Sequence, residues 1–266
     1  MRLPRLAILV AVGATLILTA CGGGGEDPTA TTEAPPTSAA SPTPAETTKN
    51  VTPRTTLPPR TPGADYDEAA ATALINATVL LPEDLDVLSA WTVQSDAPQD
   101  NAAFAAAQPD QAGDIDACGR LTGRTVTLQP EDIIGAFIGG ETLTFFSQLT
   151  VYKNEAGATT CAELAAQRLV APGALARLFA GVFVDPNAVV VTPVDYPAVG
   201  DGSFAATLTG QTNAQGTVID ITILVVGFRS RNVSAAVGSV RSGSAPPSDE
   251  LKQYVDMVLQ RLEANQ

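Results

Sequence analysis

Apolar positions follow three patterns along the chain, and each predicts a different element. Behind Arg2 and Arg5 they run almost unbroken over residues 6–18, the arrangement of a basic n-region and an apolar h-region in a secretory signal. From Asp65 they recur at helical spacing, with Tyr66, Ala69, Ala70, Ala73, Ala77 and Leu80 on one face, until Pro82 ends the helix. A turn over Pro82-Glu83-Asp84-Leu85 leads to a short strand around Trp91 and then a polar loop over residues 95–111. Strand-like segments follow at 124–128, 133–138 and 143–152, the last expected to be central because Leu143, Phe145, Leu149 and Val151 alternate with their neighbours. Thr160 and Glu163 have the spacing of a capping box, which predicts a helix from Cys161 to Val170. Pro172-Gly173 breaks it before a second short helix through Leu175, Leu178 and Phe179.

The C-terminal third reads as an antiparallel meander at 188–194, 203–208, 217–228 and 233–240. In its third strand Ile219, Ile221, Ile223 and Val225 face one side and Asp220 and Thr222 the other, while Leu224 and Val226 make the far end apolar on both faces. After Pro246-Pro247-Ser248, Leu251, Tyr254, Val255, Val258, Leu259 and Leu262 repeat at i, i+3, i+4, so a last helix must dock on the sheet. These elements sum to an α+β fold, a twisted antiparallel sheet with helices packed on one face. Its other face is either solvated or one wall of a cleft.

Leu18-Thr19-Ala20-Cys21 closes the N-terminal apolar run as a lipobox does. The run is shorter than the roughly 20 residues of a membrane span, and four glycines follow Cys21. The motif resembles that of bacterial lipoproteins, which implies cleavage before Cys21, a diacylglyceryl group on its thiol and attachment to the membrane through that lipid. An ordinary secretory signal with an incidental cysteine is the alternative. Residues 1–20 are thus expected to be a signal peptide, 21–64 the lipidated cysteine and a disordered Pro/Thr-rich tether, and 65–266 an extracytoplasmic domain. The tether has only Val51 and Leu57 as large aliphatics, too little to offset the entropy of ordering it.

Charge narrows the partners. Residues 65–266 carry 24 acidic and 10 basic side chains, a balance that repels nucleic acid and excludes it as a partner. Cys118 and Cys161 remain once Cys21 is assigned to lipid, and in an oxidising space they are expected to pair; two reduced, buried thiols are the alternative. With no histidine in the chain, Ser-His-Asp, Cys-His and imidazole-zinc sites cannot be built.

Other candidate chemistry is sparse. Glu131-Asp132 and Glu83-Asp84 can serve as acid and base pairs or as turn and helix-start residues. Asp110, Asp114 and Asp116 are either a calcium site or a solvated acidic loop. Phe145, Phe146, Tyr152, Trp91, Phe204 and Phe228 line a pocket or build the core. Arg229 and Arg231, near a hairpin tip, dock an anionic group or simply make a turn. Asn50, Asn76 and Asn232 begin glycosylation sequons, discounted beside a bacterial type of signal. No metal, cofactor or catalytic residue is expected, and no ligand-binding residue is assigned.

Leu80-Leu81-Pro82-Glu83-Asp84-Leu85 followed by Trp91, Val199-Gly200-Asp201 before a strand, and Val225-Val226-Gly227-Phe228-Arg229 with Arg231-Asn232-Val233 resemble the sensor-type domains of actinobacterial lipoproteins and receptor Ser/Thr kinases. The likeness spans most of residues 65–264. It implies a secreted α+β domain with a twisted antiparallel sheet and a cleft for a ligand; the chain differs in having a single possible disulfide and Ser230-Arg231 where that hairpin usually has glycine. The function expected is a non-enzymatic ligand-binding or sensor-like domain, recognising a small molecule, a lipid or an envelope protein. A structural or accessory lipoprotein that binds a protein partner is the alternative, and a carboxylate-dependent hydrolase using Glu131 and Asp132 a third reading.

Overall fold

The structure, a computed structural model, describes residues 57–58, 64–85, 90–132, 142–169, 182–214, 217–243 and 248–266. The strand expected at 133–138 and the short helix expected around 175–179 lie outside these residues, as do the signal, Cys21 and most of the tether.

Seven antiparallel strands form one twisted sheet: β1 (Trp91–Gln99), β2 (Arg120–Pro130), β3 (Thr142–Tyr152), β4 (Val190–Pro193), β5 (Gly202–Ala214), β6 (Thr217–Ser230) and β7 (Val233–Ser242). Their spatial order is β1-β2-β3-β7-β6-β5-β4. Two meanders, β1-β2-β3 and β4-β5-β6-β7, therefore meet where β3 pairs with β7. Five helices accompany them among the described residues: α1 (Glu68–Thr78), α2 (Asn101–Ala107), α3 (Asp114–Cys118), α4 (Glu155–Leu169) and α5 (Ser248–Asn265). The expected α+β class and twisted antiparallel sheet are the observed ones; the helices, expected on one face, lie on both, because α4 packs on the face opposite α1 and α5.

Helices α1 and α5 cover the first face of the sheet. Leu251, Tyr254, Val255, Val258 and Leu262 of α5 pack with Leu74 and Ile75 of α1 over Val126, Phe145, Leu149, Leu224, Val226 and Phe228. Each such side chain contributes about 1.5–3 kcal/mol when fully buried. Tyr254 meets Phe145 edge-on at 5.0 Å between centroids, and Trp91 lies 5.1 Å from the same ring. Asp67 caps α1 by accepting from the Ala70 N–H at 2.7 Å. The stripe that α1 buries is Ala71, Leu74, Ile75, Ala77 and Thr78, centred about a third of a turn away from the expected face; of that face Tyr66, Ala77 and Leu80 are buried, whereas Ala69 is exposed. The two large aliphatics, with more area to remove from water, set the rotation.

The second face divides into two halves. Over β5, β6 and β7 it is apolar, with Phe146, Phe183, Phe204, Leu208, Ile221, Ile223 and Val225 in one cluster. Phe204 lies over Gly227 and Phe146 over Gly238, so close that a Cβ on either glycine would overlap the ring. A Gly227→Val variant is expected to lose about 1–3 kcal/mol by overpacking, read from its urea midpoint. Adding Phe204→Leu should restore part of that loss; no restoration would mean the ring is not the cause. Over β2 and β3 the same face is polar, and this half holds the candidate site. By strand alternation Tyr152 belongs to the second face, and α4 docks there through Ala158, with Cys161 and Leu164 alongside.

Several boundaries differ from expectation for identifiable reasons. The segment expected to be a loop over 95–111 instead continues β1 to Gln99 and forms α2. Asp96 on the edge strand holds Arg124 of β2 at 2.8 and 2.6 Å, a cross-strand pair in place of apolar alternation. Helix α4 begins at Glu155, six residues before the expected start, with the Asn154 Oδ1 accepting from the Gly157 N–H at 3.0 Å. Thr160 is no cap: its hydroxyl donates back to the Ala156 carbonyl at 3.0 Å inside the helix.

At the N-terminal side, the Leu57 N–H donates to Asn265 Oδ1 at 2.8 Å and the Leu57 side chain packs against the first-face core. The tether region thus touches the end of α5 at a residue upstream of Asp65.

The Arg124 guanidinium holds the Asp96 carboxyl below the usual carboxylate range against an opposing effect of burial. A depressed carboxylate contributes stability above its unfolded pKa of about 3.9, and this is lost as pH falls through the lower folded value. The pair is partly solvated, so Asp96→Asn is expected to remove less than about 1 kcal/mol of the stability difference between pH 7 and pH 2. Urea midpoints at the two pH values check it.

Candidate functional site

On the polar half of the second face the cross-strand pairs are Gly123 with Thr150, Thr125 with Gln148, and Thr127 with Phe146. Thr125, Thr127, Gln148 and Thr150 are all buried, an unusual composition for a covered sheet face. The Thr125 hydroxyl has no hydrogen-bond partner among the described residues. A buried hydroxyl without a partner costs about 1–3 kcal/mol.

Arg120, the first residue of β2, lies over this wall and is 4 % exposed. Gly119 at φ 58° ends α3 and turns the chain into the strand. The missing Cβ of Gly123 leaves room for the guanidinium, whose Nη2, like the Thr150 hydroxyl, lies within 3.3 Å of where that Cβ would stand. Nη1 donates to Asn101 Oδ1 at 2.8 Å and Nη2 to the Gln99 carbonyl at 3.0 Å. Asn101 returns a bond from Nδ2 to the Arg120 carbonyl at 2.9 Å. The Phe104 ring lies 4.3 Å from the guanidinium carbon, a cation–π contact. Nε has no partner among the described residues.

These contacts are with neutral groups, and among the described residues no carboxylate pairs with Arg120. Desolvation therefore dominates its titration and pushes the guanidinium down to about 10, with weaker opposing contributions from Tyr152 and Asp100. It remains charged at neutral pH. A buried cation without a directly paired anion is costly, since effective desolvation penalties reach several kcal/mol per ion. The arrangement can accept a negative group.

One covalent link supports it. Cys118 and Cys161 form a disulfide with Cα atoms 5.3 Å apart, tying α3, which leads into Arg120, to α4. Burial in the same corner raises the Tyr152 phenol, against a hydrogen bond with Ser234 and the charge of Arg120.

The residues singled out in the sequence fall elsewhere. Asp84 accepts from the Leu81 N–H at 2.8 Å and forms a bidentate pair with Arg261 of α5 at 2.5 and 3.0 Å, so in Glu83-Asp84 the turn chemistry is what the fold uses. Glu131 and Asp132 are exposed past the end of β2, the Glu131 N–H bonded to the Ala90 carbonyl. Asp110 lies in a 3-10 turn and Asp114 and Asp116 in α3; no group of three metal-ligating side chains occurs among the described residues. Of the candidate pocket aromatics, Phe145, Phe146, Phe204 and Phe228 are core and Trp91 packs against it. At the hairpin tip Arg231 adopts φ 49° and its N–H donates to Asp201 Oδ2 at 2.5 Å, while Asn232 Nδ2 donates to the Tyr152 carbonyl at 2.9 Å. Asn76 accepts from Arg124 and Asn232 is buried, so these two sequon asparagines are engaged in the fold, while Asn50 lies outside the described residues.

Arg120 itself escaped the sequence reading. Its partners Gln99 and Asn101 lie in the stretch 95–111, whose polar pattern predicts a loop. The available signal was a basic residue beginning a strand of small polar residues, Thr122, Gly123, Thr125 and Thr127, in a domain with few bases.

No family model matches the chain, and no curated protein matches it. Among solved structures the chain is similar to the extracellular domain of PknH from Mycobacterium tuberculosis, at 9 % identity and a TM-score of 0.39 over 76 % of this chain and 98 % of that one. No functional residue is transferred from it.

Proposed function

We propose that this chain is an exported lipoprotein, held to the membrane by lipid on Cys21, whose extracytoplasmic α+β domain binds a small or lipidic ligand without turning it over. The location rests on the Arg2/Arg5 n-region, the apolar run and the Leu18-Thr19-Ala20-Cys21 motif. The binding role rests on the buried Arg120 guanidinium set on a polar sheet face with no carboxylate paired to it among the described residues. A chain without histidine, in which the candidate acids serve turns or stand apart, favours recognition over catalysis.

Native mass spectrometry of the exported chain, with lipid and metabolite extraction, tests the binding role. A reproducible bound mass supports it; turnover of envelope esters, glycans or peptides at a defined rate refutes it. For the anchor, Cys21→Ser is expected to move the chain out of the membrane fraction, and retention there would refute lipidation at this residue.

A second reading is an accessory protein that docks on a partner. Val184, Val190 and Val218 are exposed around the β4–β6 end of the sheet, and Val184 bonds through its N–H to the Gln211 carbonyl of β5. A single stoichiometric protein neighbour in a crosslinking survey, with no extracted ligand, would favour it.

A further inference from the structure

The ligand class of the Arg120 site, and the way into it, can be argued further; this step rests on the binding role above. Helix α2 is the cover. It has seven residues and buries none of its own side chains, and a helix this short has little stability of its own. Its N-cap bond, from the Ala103 N–H to Asp100 Oδ1 at 2.7 Å, is internal. Toward β2 it is held by Asn101 and Phe104, and both grip the same arginine, one through an amide and the other through a ring face. Helix α2 is thus fastened to the charge that a ligand would use.

We infer that Arg120 anchors a site for a small monocarboxylate, which enters when α2 lifts and takes Asn101 and Phe104 off the guanidinium. The unpartnered Nε and the neighbouring Nη2 form the edge on which arginine receives a carboxylate with two parallel hydrogen bonds. Nη2 already gives one of its hydrogens to Gln99 and keeps a second. The Thr150 hydroxyl, which with Nη2 borders the space over Gly123, and the unpartnered Thr125 hydroxyl further along the same face are neutral groups able to donate to an incoming oxygen. Charge selects the valence. One cation in a domain with 24 acidic and 10 basic side chains balances a single negative charge, whereas a phosphate dianion would leave excess negative charge in a desolvated, acidic surrounding.

A competing cover has a thermodynamic signature. The closed form reduces apparent affinity by the fraction of molecules that are open, so loosening α2 must tighten binding. Sodium acetate is titrated into the full processed chain in detergent, at ionic strength held constant with chloride, while the arginine Nε–H resonances are followed by NMR. Acetate is expected to shift one Nε–H saturably. Arg120→Gln should abolish that resonance and its response, and Phe104→Leu and Asn101→Ala should each tighten acetate binding by about threefold or more. Because the Gln variant can fail by misfolding, the two α2 variants decide. If acetate moves no Nε–H in wild type or in either variant, Arg120 is a clamp for α2 and the inference falls. Saturable binding of inorganic phosphate in preference to acetate would overturn the choice of a monocarboxylate. A ligand recovered by extraction while acetate leaves Arg120 untouched would overturn this site and leave the binding role standing; acetate binding with turnover of a substrate would do the reverse.

Discussion

Replacing Cys118 and Cys161 together by alanine is expected to lower the stability of the domain by about 4 kcal/mol and its melting temperature by roughly 10 °C. The bridge spans a sequence separation of 43, and closing a loop of that length removes about 4 kcal/mol of entropy from the unfolded chain in the chain-entropy model. For a domain of this size each kcal/mol corresponds to roughly 2–4 °C. The loss has a structural location as well. The bridge joins α3 to α4, and the two pack so closely that a Cβ on Gly157 of α4 would run into the Cys118 carbonyl. Without the bridge, this contact and the small cluster of Tyr152 and Ala158 are left to hold α4 on the sheet. Hydrogen exchange should therefore rise first in α3 and α4 while β6, whose apolar residues face both layers, stays protected. Calorimetry on the oxidised protein and the double variant checks the magnitude. A fall under about 2 °C would show that the unfolded chain is already compact around this loop.

The elements that were legible in the sequence are those whose own side chains are their packing partners. In β6 the alternation of Ile221, Ile223 and Val225 against Leu224 and Val226 reports two buried faces, and both clusters contain them. In α5 the i, i+3, i+4 repeat is the buried stripe itself. Cysteine pairing was legible because two thiols remained for one bridge. Elements set by distant partners were not. The far half of β1 is Ser95, Asp96, Ala97, Pro98 and Gln99, a strand only because β2 pairs with it and Arg124 answers Asp96. The start of α4 depends on an asparagine cap and on a glycine that fits under the Cys118 carbonyl, and neither makes an apolar pattern. The candidate site lies in the same blind region. Arg120 meets Asn101 across 19 positions and over the bare backbone of Gly123, and no periodicity records such a contact. Its polar neighbours also resemble an ordinary solvated strand until burial is known.

The short motifs behind the resemblance to sensor-type domains have structural work in this fold. In Leu80-Leu81-Pro82-Glu83-Asp84-Leu85, the Leu80 N–H donates to the Ser147 hydroxyl at 3.1 Å and Asp84 closes a 3-10 turn. The same carboxylate takes both Nη groups of Arg261. The side chains of the pair are 10 % and 6 % exposed. Breaking a buried pair from one side strands the remaining charge and typically costs about 3–5 kcal/mol, whereas removing both charges together costs far less. Arg261→Met and Asp84→Asn are therefore each expected to lose about 3 kcal/mol or more. The double variant should lose less than the sum by at least about 1.5 kcal/mol, because the second substitution removes a charge that has already lost this partner. Asp84→Asn keeps a side-chain oxygen for the Leu81 N–H, so the turn survives and the coupling reports the pair. Urea unfolding of the four proteins measures it. Strict additivity would mean that Asp84 and Arg261 are each solvated enough to stand alone, and that α5 is held against the Pro82–Asp84 turn by its apolar stripe without help from the ion pair.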